Sequence, residues 1–80
     1  MAGTSDRVKK VTADLLKINI GAINDTSRFV EDLGAESVQS IELVASFEEE
    51  FDIEMNEDEA LAVKTVGDAV GFIDKILAAK

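Results

Sequence analysis

Apolar residues recur at helical spacing near the start of the chain. They are Val8, Val11, Leu15 and Ile18. The spacing of three or four residues predicts an amphipathic helix over residues 5 to 18, with Ser5 or Thr4 as its N-cap.

The second periodic stretch, residues 37 to 51, is richer in apolar residues than the first. On a helical wheel the apolar arc comprises Val38, Ile41, Leu43, Val44, Ala45, Phe47 and Phe51. The opposite side is a narrow polar line, here called the recognition ridge, of Gln39, Glu42, Ser46 and Glu49. An arc this wide predicts a central helix that contacts several neighbours. Glu48 falls inside the arc, and we expect its carboxylate to lean out to solvent.

Two further helices are predicted from their start signals. Asn56 with an acid three residues on is a capping pattern and opens a short helix that runs to about Val63. Thr65 and Asp68 repeat the pattern before a last helix, whose apolar positions are Val66, Ala69, Val70, Ile73, Ile76 and Leu77. Gly67 and Gly71 should weaken this last helix by about 1 kcal/mol each relative to Ala.

Residues 19 to 36 are rich in turn formers and predict a long loop between the first two helices. Its apolar residues, expected to pin it to the core, are Ile20, Ile23, Phe29, Val30 and Leu33. A connection of this length in a compact domain is often functional. The fold predicted is all-α: a single domain over residues 1 to 80, built as a small antiparallel four-helix bundle with one short helix.

Composition narrows the possible functions. The 80 residues include no Cys and no His, which excludes thiolate nucleophiles, imidazole bases and most zinc sites. The net charge is −9, and twelve acids but no base lie between Arg28 and Lys64. Nucleic acid and anionic membranes are therefore poor partners, whereas basic protein surfaces are suitable ones. No apolar run is long enough to cross a membrane, and no presequence is evident, so we expect a cytoplasmic monomer.

Acidic residues offer two candidate sites that the pattern does not favour. Asp52, Glu54, Asn56 and Asp58 alternate like calcium ligands, but Glu57 and Val63 stand where an EF-hand loop needs Gly and Glu. No metal site is predicted. The adjacent acids of residues 48 to 50 are expected to face solvent, which suits partner binding better than acid–base catalysis.

Ser37 is the best candidate for chemistry. A serine beside a predicted helix start is ordinarily a capping residue. The free N–H groups and the positive dipole of a helix N-terminus would, however, also stabilise a phosphate esterified to a residue there.

The chain resembles an acyl carrier protein of the fatty-acid-synthesis type. The likeness runs over nearly the whole length and is carried by residues 7 to 10, 29 to 35, 42 to 44, 47 to 52 and 65 to 66. It implies that Ser37 bears 4′-phosphopantetheine donated from coenzyme A, and that the thiol of this arm carries acyl groups as thioesters. It implies no enzymatic activity of the chain itself. The partners would be a phosphopantetheinyl transferase and acyl-processing enzymes, whose basic patches would bind Glu36, Gln39, Glu42, Glu48 and Glu49.

The resemblance also implies that the acyl chain folds back between the helices. The matching positions are Phe29, Val44, Phe47, Met55, Ala60, Val63 and Ile73. The same residues would form an ordinary core, and the pattern does not distinguish the two.

This sequence departs from the family in places that bear on its pathway. Glu36-Ser37-Val38-Gln39 stands where Asp-Ser-Leu and another acid are usual, and Asn56 stands where Pro is common. These differences leave a specialised carrier for polyketide, aminoacyl or dedicated lipid pathways as an alternative. From another class, an acidic helical adaptor without a prosthetic group could use the same ridge.

Overall fold

The computed structural model describes residues 3 to 79, except the side chains of Glu57 and Leu61. Its helices are α1 (Thr4–Leu16), α2 (Ser37–Phe51), α3 (Glu57–Ala62) and α4 (Val66–Ala79), with a 3₁₀ turn at Ile20–Ala22. Helix α1 packs against both α2 and α4. The described part of the chain is thus a small helical bundle, and the predicted all-α class is confirmed.

The core takes residues from every long helix and from the connections between them. Its largest fully buried side chains are Val8, Thr12, Phe47, Val66 and Ile73. The hydroxyl of Thr12 donates to the Val8 carbonyl at 2.8 Å, so this polar group is satisfied within its own helix. The apolar positions predicted for the first and last helices pack on this core, as their spacing predicts. The predicted end of the first helix was two residues too late, because Lys17 takes a positive φ of 57° after Leu16 and Ile18 therefore lies beyond α1.

The start of α1 differs from the prediction. Gly3 is the N-cap, and no side chain caps the helix. Thr4 and Ser5 lie in the first turn instead, where their hydroxyls donate to Asp74 and Asp25. Prediction of either residue as the cap was wrong because each has a longer-range acceptor on another element.

The long loop is fastened to the start of α4 by backbone hydrogen bonds. Arg28 and Thr65 form an isolated antiparallel bridge. Phe29 N–H donates to the Lys64 carbonyl at 3.0 Å, and Gly67 N–H donates to the Asp25 carbonyl at 2.7 Å. Since the loop holds its position through these bonds, only part of its apolar set needs to be buried.

Within the loop, Ile23 and Phe29 are buried and Leu33 is half-buried, as expected. Ile20 and Val30, in contrast, are exposed. The expectation that they pin the loop was therefore wrong, and the backbone bridge to α4 takes over this role.

Candidate functional site

Helix α2 begins with a hydrogen-bonded cap that does not involve Ser37. Glu36 is the N-cap residue, and Gln39 Oε1 accepts from its backbone N–H at 2.9 Å. Ser40 N–H donates to the Glu36 carbonyl at 2.9 Å as the first intrahelical bond. Ser37 is thus the first helical residue, and Gln39, which replaces a usual acid, uses its amide to close the helix start.

The hydroxyl of Ser37 is available for chemistry. Its residue is exposed, and its side chain makes no hydrogen bond within the described residues. It stands in the first turn of a helix of 15 residues, where backbone N–H groups lack intrahelical partners. An exposed hydroxyl beside these donors suits a covalently attached phosphate, because the helix start favours the negative charge.

Ser37 also opens onto a cavity of about 970 Å³. Its apolar lining is formed by Phe29, Val30, Ile41, Leu43, Val44, Ala45, Phe47, Met55, Ala60 and Val63, and its polar rim by Arg28, Glu31, Ser37, Ser40, Glu48, Lys64, Thr65 and Asp68. An apolar cavity of this size with a polar rim is typical of small-molecule sites.

The structure brings together most of the residues predicted for an acyl pocket. Phe29 and Phe47 lie with their ring centroids 6.2 Å apart and their planes tilted by 50°, and both line the cavity. Ile73 is fully buried in the core and is not among the described lining residues. Leu43 does line the cavity but was missed, because its helical position is that of any buried residue.

Charges at the cavity rim are held by local hydrogen bonds. Arg28 Nε donates to Asp32 Oδ2 at 3.1 Å, and this hydrogen bond is the main reason why the pKa of Asp32 lies below its usual range. Glu48 is half-buried, and its Oε2 accepts from Met55 N–H at 3.1 Å. The expectation that Glu48 simply leans into solvent was therefore wrong, since its carboxylate holds the chain that follows α2.

The recognition ridge is only partly on the surface. Glu42 and Glu49 are exposed, as is Glu36 before them, but Gln39 and Ser46 are half-buried. Ser46 and Glu49 border a shallow cleft of about 490 Å³ against α1. The ridge therefore lies to one side of the outer face of α2.

The centre of that outer face is apolar. Val38 is 65% exposed, Ile41 is 72% exposed, and Ala45 is exposed as well. We name these three residues the apolar strip. Their assignment to the buried arc was wrong, because the neighbours of α2 cover only the side that carries Leu43, Phe47 and Phe51. The apolar arc of α2 is wider than a single buried face, and this width was the sequence signal that part of the arc would be exposed.

The described part of the chain offers neither a metal cluster nor a membrane span. None of its acidic side chains come together in a group of three or more that could hold a metal ion. Likewise, no helix among the described residues is both long and apolar enough to span a bilayer.

Comparison with known families identifies a class of protein that agrees with the chemistry of the site. Residues 6–73 match the family described as "Phosphopantetheine attachment site". The chain belongs to this family and is a carrier of the acyl carrier type, with covalent 4′-phosphopantetheine as its prosthetic group. Domains of the family are not catalysts themselves, and they interact with phosphopantetheinyl transferases and acyl-processing enzymes.

Proposed function

We propose that Ser37 is the attachment residue and that the chain carries acyl intermediates between enzymes of fatty acid biosynthesis. The observation that supports this most is the placement of Ser37. Its exposed, unpaired hydroxyl stands at the start of α2 and at the mouth of an apolar cavity. No other cavity-lining hydroxyl has the same freedom, since Ser40 donates to the Glu36 carbonyl at 3.3 Å and Thr65 accepts from Asp68 N–H.

When attached, the prosthetic group supplies a terminal thiol that holds an acyl group as a thioester. The residues of the chain provide its surroundings. Val44, Phe47 and Met55 offer an apolar wall to an alkyl chain, which gains free energy in proportion to the apolar surface that it removes from water. The cavity would also keep water from the thioester while the carrier travels between partners.

Partners would bind the outer face of α2. The apolar strip gives them a desolvated centre, and Glu36, Glu42 and Glu49 beside it give a negative rim. Such a rim chiefly raises the association rate with a basic surface, whereas the apolar centre contributes affinity. Glu48 and Gln39 would then act less as contacts than as residues that hold the ends of the docking helix.

The test is loading by a phosphopantetheinyl transferase with coenzyme A, followed by intact mass spectrometry. We expect a mass gain of one phosphopantetheine per chain. A chain that stays at its initial mass with an active transferase would reject the proposal, and would favour an adaptor that uses the same surface without a prosthetic group.

A specialised carrier is the second candidate, and the start of α2 is the observation that favours it. Gln39 is neutral and hydrogen-bonded to Glu36, so the docking surface has one acid fewer than is usual in the resemblance. The loaded chain should be offered in parallel to fatty acid synthase enzymes and to polyketide, aminoacyl and dedicated lipid ligases. Faster turnover by one of the latter would identify the specialised pathway.

The docking surface yields a prediction that separates charge from apolar contact. Ile41→Ser should weaken binding to the transferase at every salt concentration, because it removes the most exposed residue of the apolar strip. Ile20→Ser is the matched control, since Ile20 is also exposed at 47% but lies on the 3₁₀ turn, off α2 and outside the cavity lining. The measurement is Kd by titration at low and at high NaCl.

In this titration the unmodified chain should also lose affinity as salt rises, because exposed opposite charges are screened. Equal losses in the Ile41→Ser and Ile20→Ser variants would contradict the apolar strip as a contact. An affinity independent of salt would contradict the acidic rim.

A further inference from the structure

The fold brings together the two bases that flank the acidic segment. Between Arg28 and Lys64 the sequence holds twelve acids and no base. The backbone bridge joins Arg28 to Thr65, and Phe29 N–H bonds to the Lys64 carbonyl at 3.0 Å. Both basic side chains consequently line the same cavity as Ser37. The lining of this cavity therefore carries two cations from the ends of the acidic segment, beside the acids Glu31, Glu48 and Asp68.

The same bridge places Lys64 near the start of α2. Ala35 N–H donates to the Phe29 carbonyl at 2.9 Å, and Phe29 N–H in turn donates to the Lys64 carbonyl at 3.0 Å. Ala35 is two residues before Ser37. Lys64 is therefore connected through two consecutive backbone hydrogen bonds to the segment that carries the attachment residue.

The other charged groups of the cavity rim are already engaged. Arg28 forms ion pairs with Glu31 and Asp32. Glu48 accepts from Met55 N–H, and Asp68 accepts from Thr65 N–H at 3.3 Å. The carboxylates of Glu48 and Asp68 keep their negative charge while they accept these bonds, and the Arg28 guanidinium is shared between two acids. Among the described lining residues, Lys64 is thus the cation that is not paired with an acid.

Lys64 differs from them. Its side chain is exposed, lines the cavity, and forms no ion pair or hydrogen bond within the described residues. Its position on the link between α3 and α4 leaves it outside any helix. An ammonium group with no partner at the opening of an apolar cavity is suited to bind an anion that enters or stands at that opening.

We propose that Lys64 binds an oxyanion carried on the arm attached to Ser37. Two sources share this chemistry: the phosphodiester that joins the arm to Ser37, and a carboxylate at the free end of a dicarboxylic acyl group. An alkyl chain would enter the apolar cavity, whereas a carboxylate would remain at the rim because its burial without a partner is costly. Lys64 would then make the carrier distinguish charged from uncharged cargo. This inference rests on the proposed attachment at Ser37.

The test compares Lys64→Met with Lys75→Met, which removes one positive charge from an exposed position on α4, away from the cavity. The first arm follows each variant from the apo to the holo form, by melting temperature and by the ³¹P chemical shift of the phosphodiester. The second arm compares holo chains that carry hexanoyl or adipoyl groups through a stable amide in place of the thioester.

If the phosphodiester is the ligand, the apo-to-holo change in Tm should be less favourable in Lys64→Met than in Lys75→Met by about 1 to 5 °C at low salt, and the ³¹P shift should differ. If the carboxylate is the ligand, the adipoyl chain should lose a similar amount relative to the hexanoyl chain in Lys64→Met alone. Both effects should vanish at high salt.

Identical behaviour of the two variants in both arms would overturn the role of Lys64. That result differs from failure of the proposed function, in which no variant would gain the mass of the prosthetic group at all.

Discussion

Ser37→Ala is expected to keep its initial mass after incubation with coenzyme A and a phosphopantetheinyl transferase, whereas Ser40→Ala gains one phosphopantetheine. The loss should be complete, because alanine offers no oxygen for the phosphoester. Ser40 is a close control. It lies three residues further along the same helix and lines the same cavity, but its hydroxyl donates to the Glu36 carbonyl at 3.3 Å. Intact mass spectrometry over a time course measures both variants.

Folding should not explain the loss in Ser37→Ala. The helix start is closed by Gln39 and Glu36, and the Ser37 hydroxyl has no hydrogen-bond partner among the described residues. We therefore expect its free energy of unfolding to lie within about 0.5 kcal/mol of the unmodified chain, as for other surface substitutions. A mass gain in Ser37→Ala would move the attachment to another residue. If neither variant gained mass, the substitutions would be acting through recognition of the helix start by the transferase, and the result would not identify Ser37 as the nucleophile.

The bounds of α2 could be predicted from sequence because its signals are local. Gly34 takes a positive φ of 74° just before the helix, and the apolar period then runs unbroken to Phe51. The N-terminal caps of α3 and α4 could also be predicted from sequence. Asn56 Oδ1 accepts from Glu59 N–H at 2.7 Å, and Thr65 Oγ1 accepts from Asp68 N–H at 3.0 Å. A cap involves residues three apart, so its chemistry is visible before the fold is known.

The site itself depends on contacts that the sequence does not record. Whether Ile41 is covered depends on how closely the long loop and the α3 region, which line the same cavity, approach α2, and Ile41 stays 72% exposed. Glu48 is explained only once Met55 N–H is seen to lie within hydrogen-bond distance of its carboxylate. Lys64 reaches the cavity through the bridge between Arg28 and Thr65, a pairing of residues far apart in the chain. Contacts between residues far apart in the chain therefore explain why some predicted site residues differ from those of the observed site.

The two glycines of α4 separate local propensity from long-range contact most sharply. By propensity, both weaken the helix relative to alanine. A Cβ on Gly71 would meet nothing within 4 Å, whereas one on Gly67 would lie 2.9 Å from the Asp25 carbonyl oxygen, which already accepts from Gly67 N–H at 2.7 Å. That oxygen belongs to backbone, so it cannot move aside as a flexible side chain could.

Gly71→Ala should therefore raise the free energy of unfolding by about 0.5 to 1 kcal/mol, and Gly67→Ala should lower it by about 1 to 3 kcal/mol through overpacking. For a domain of this size the two melting temperatures should differ by about 6 °C or more. Denaturant unfolding followed by circular dichroism at fixed salt measures both variants. If both substitutions stabilised the protein, the loop that contains Asp25 would be able to move away from the new Cβ with no loss of stability.

The same loop leads directly into Arg28 and Phe29, which line the cavity, so Gly67→Ala should also loosen one wall of the site. Gly71→Ala should leave that wall unchanged.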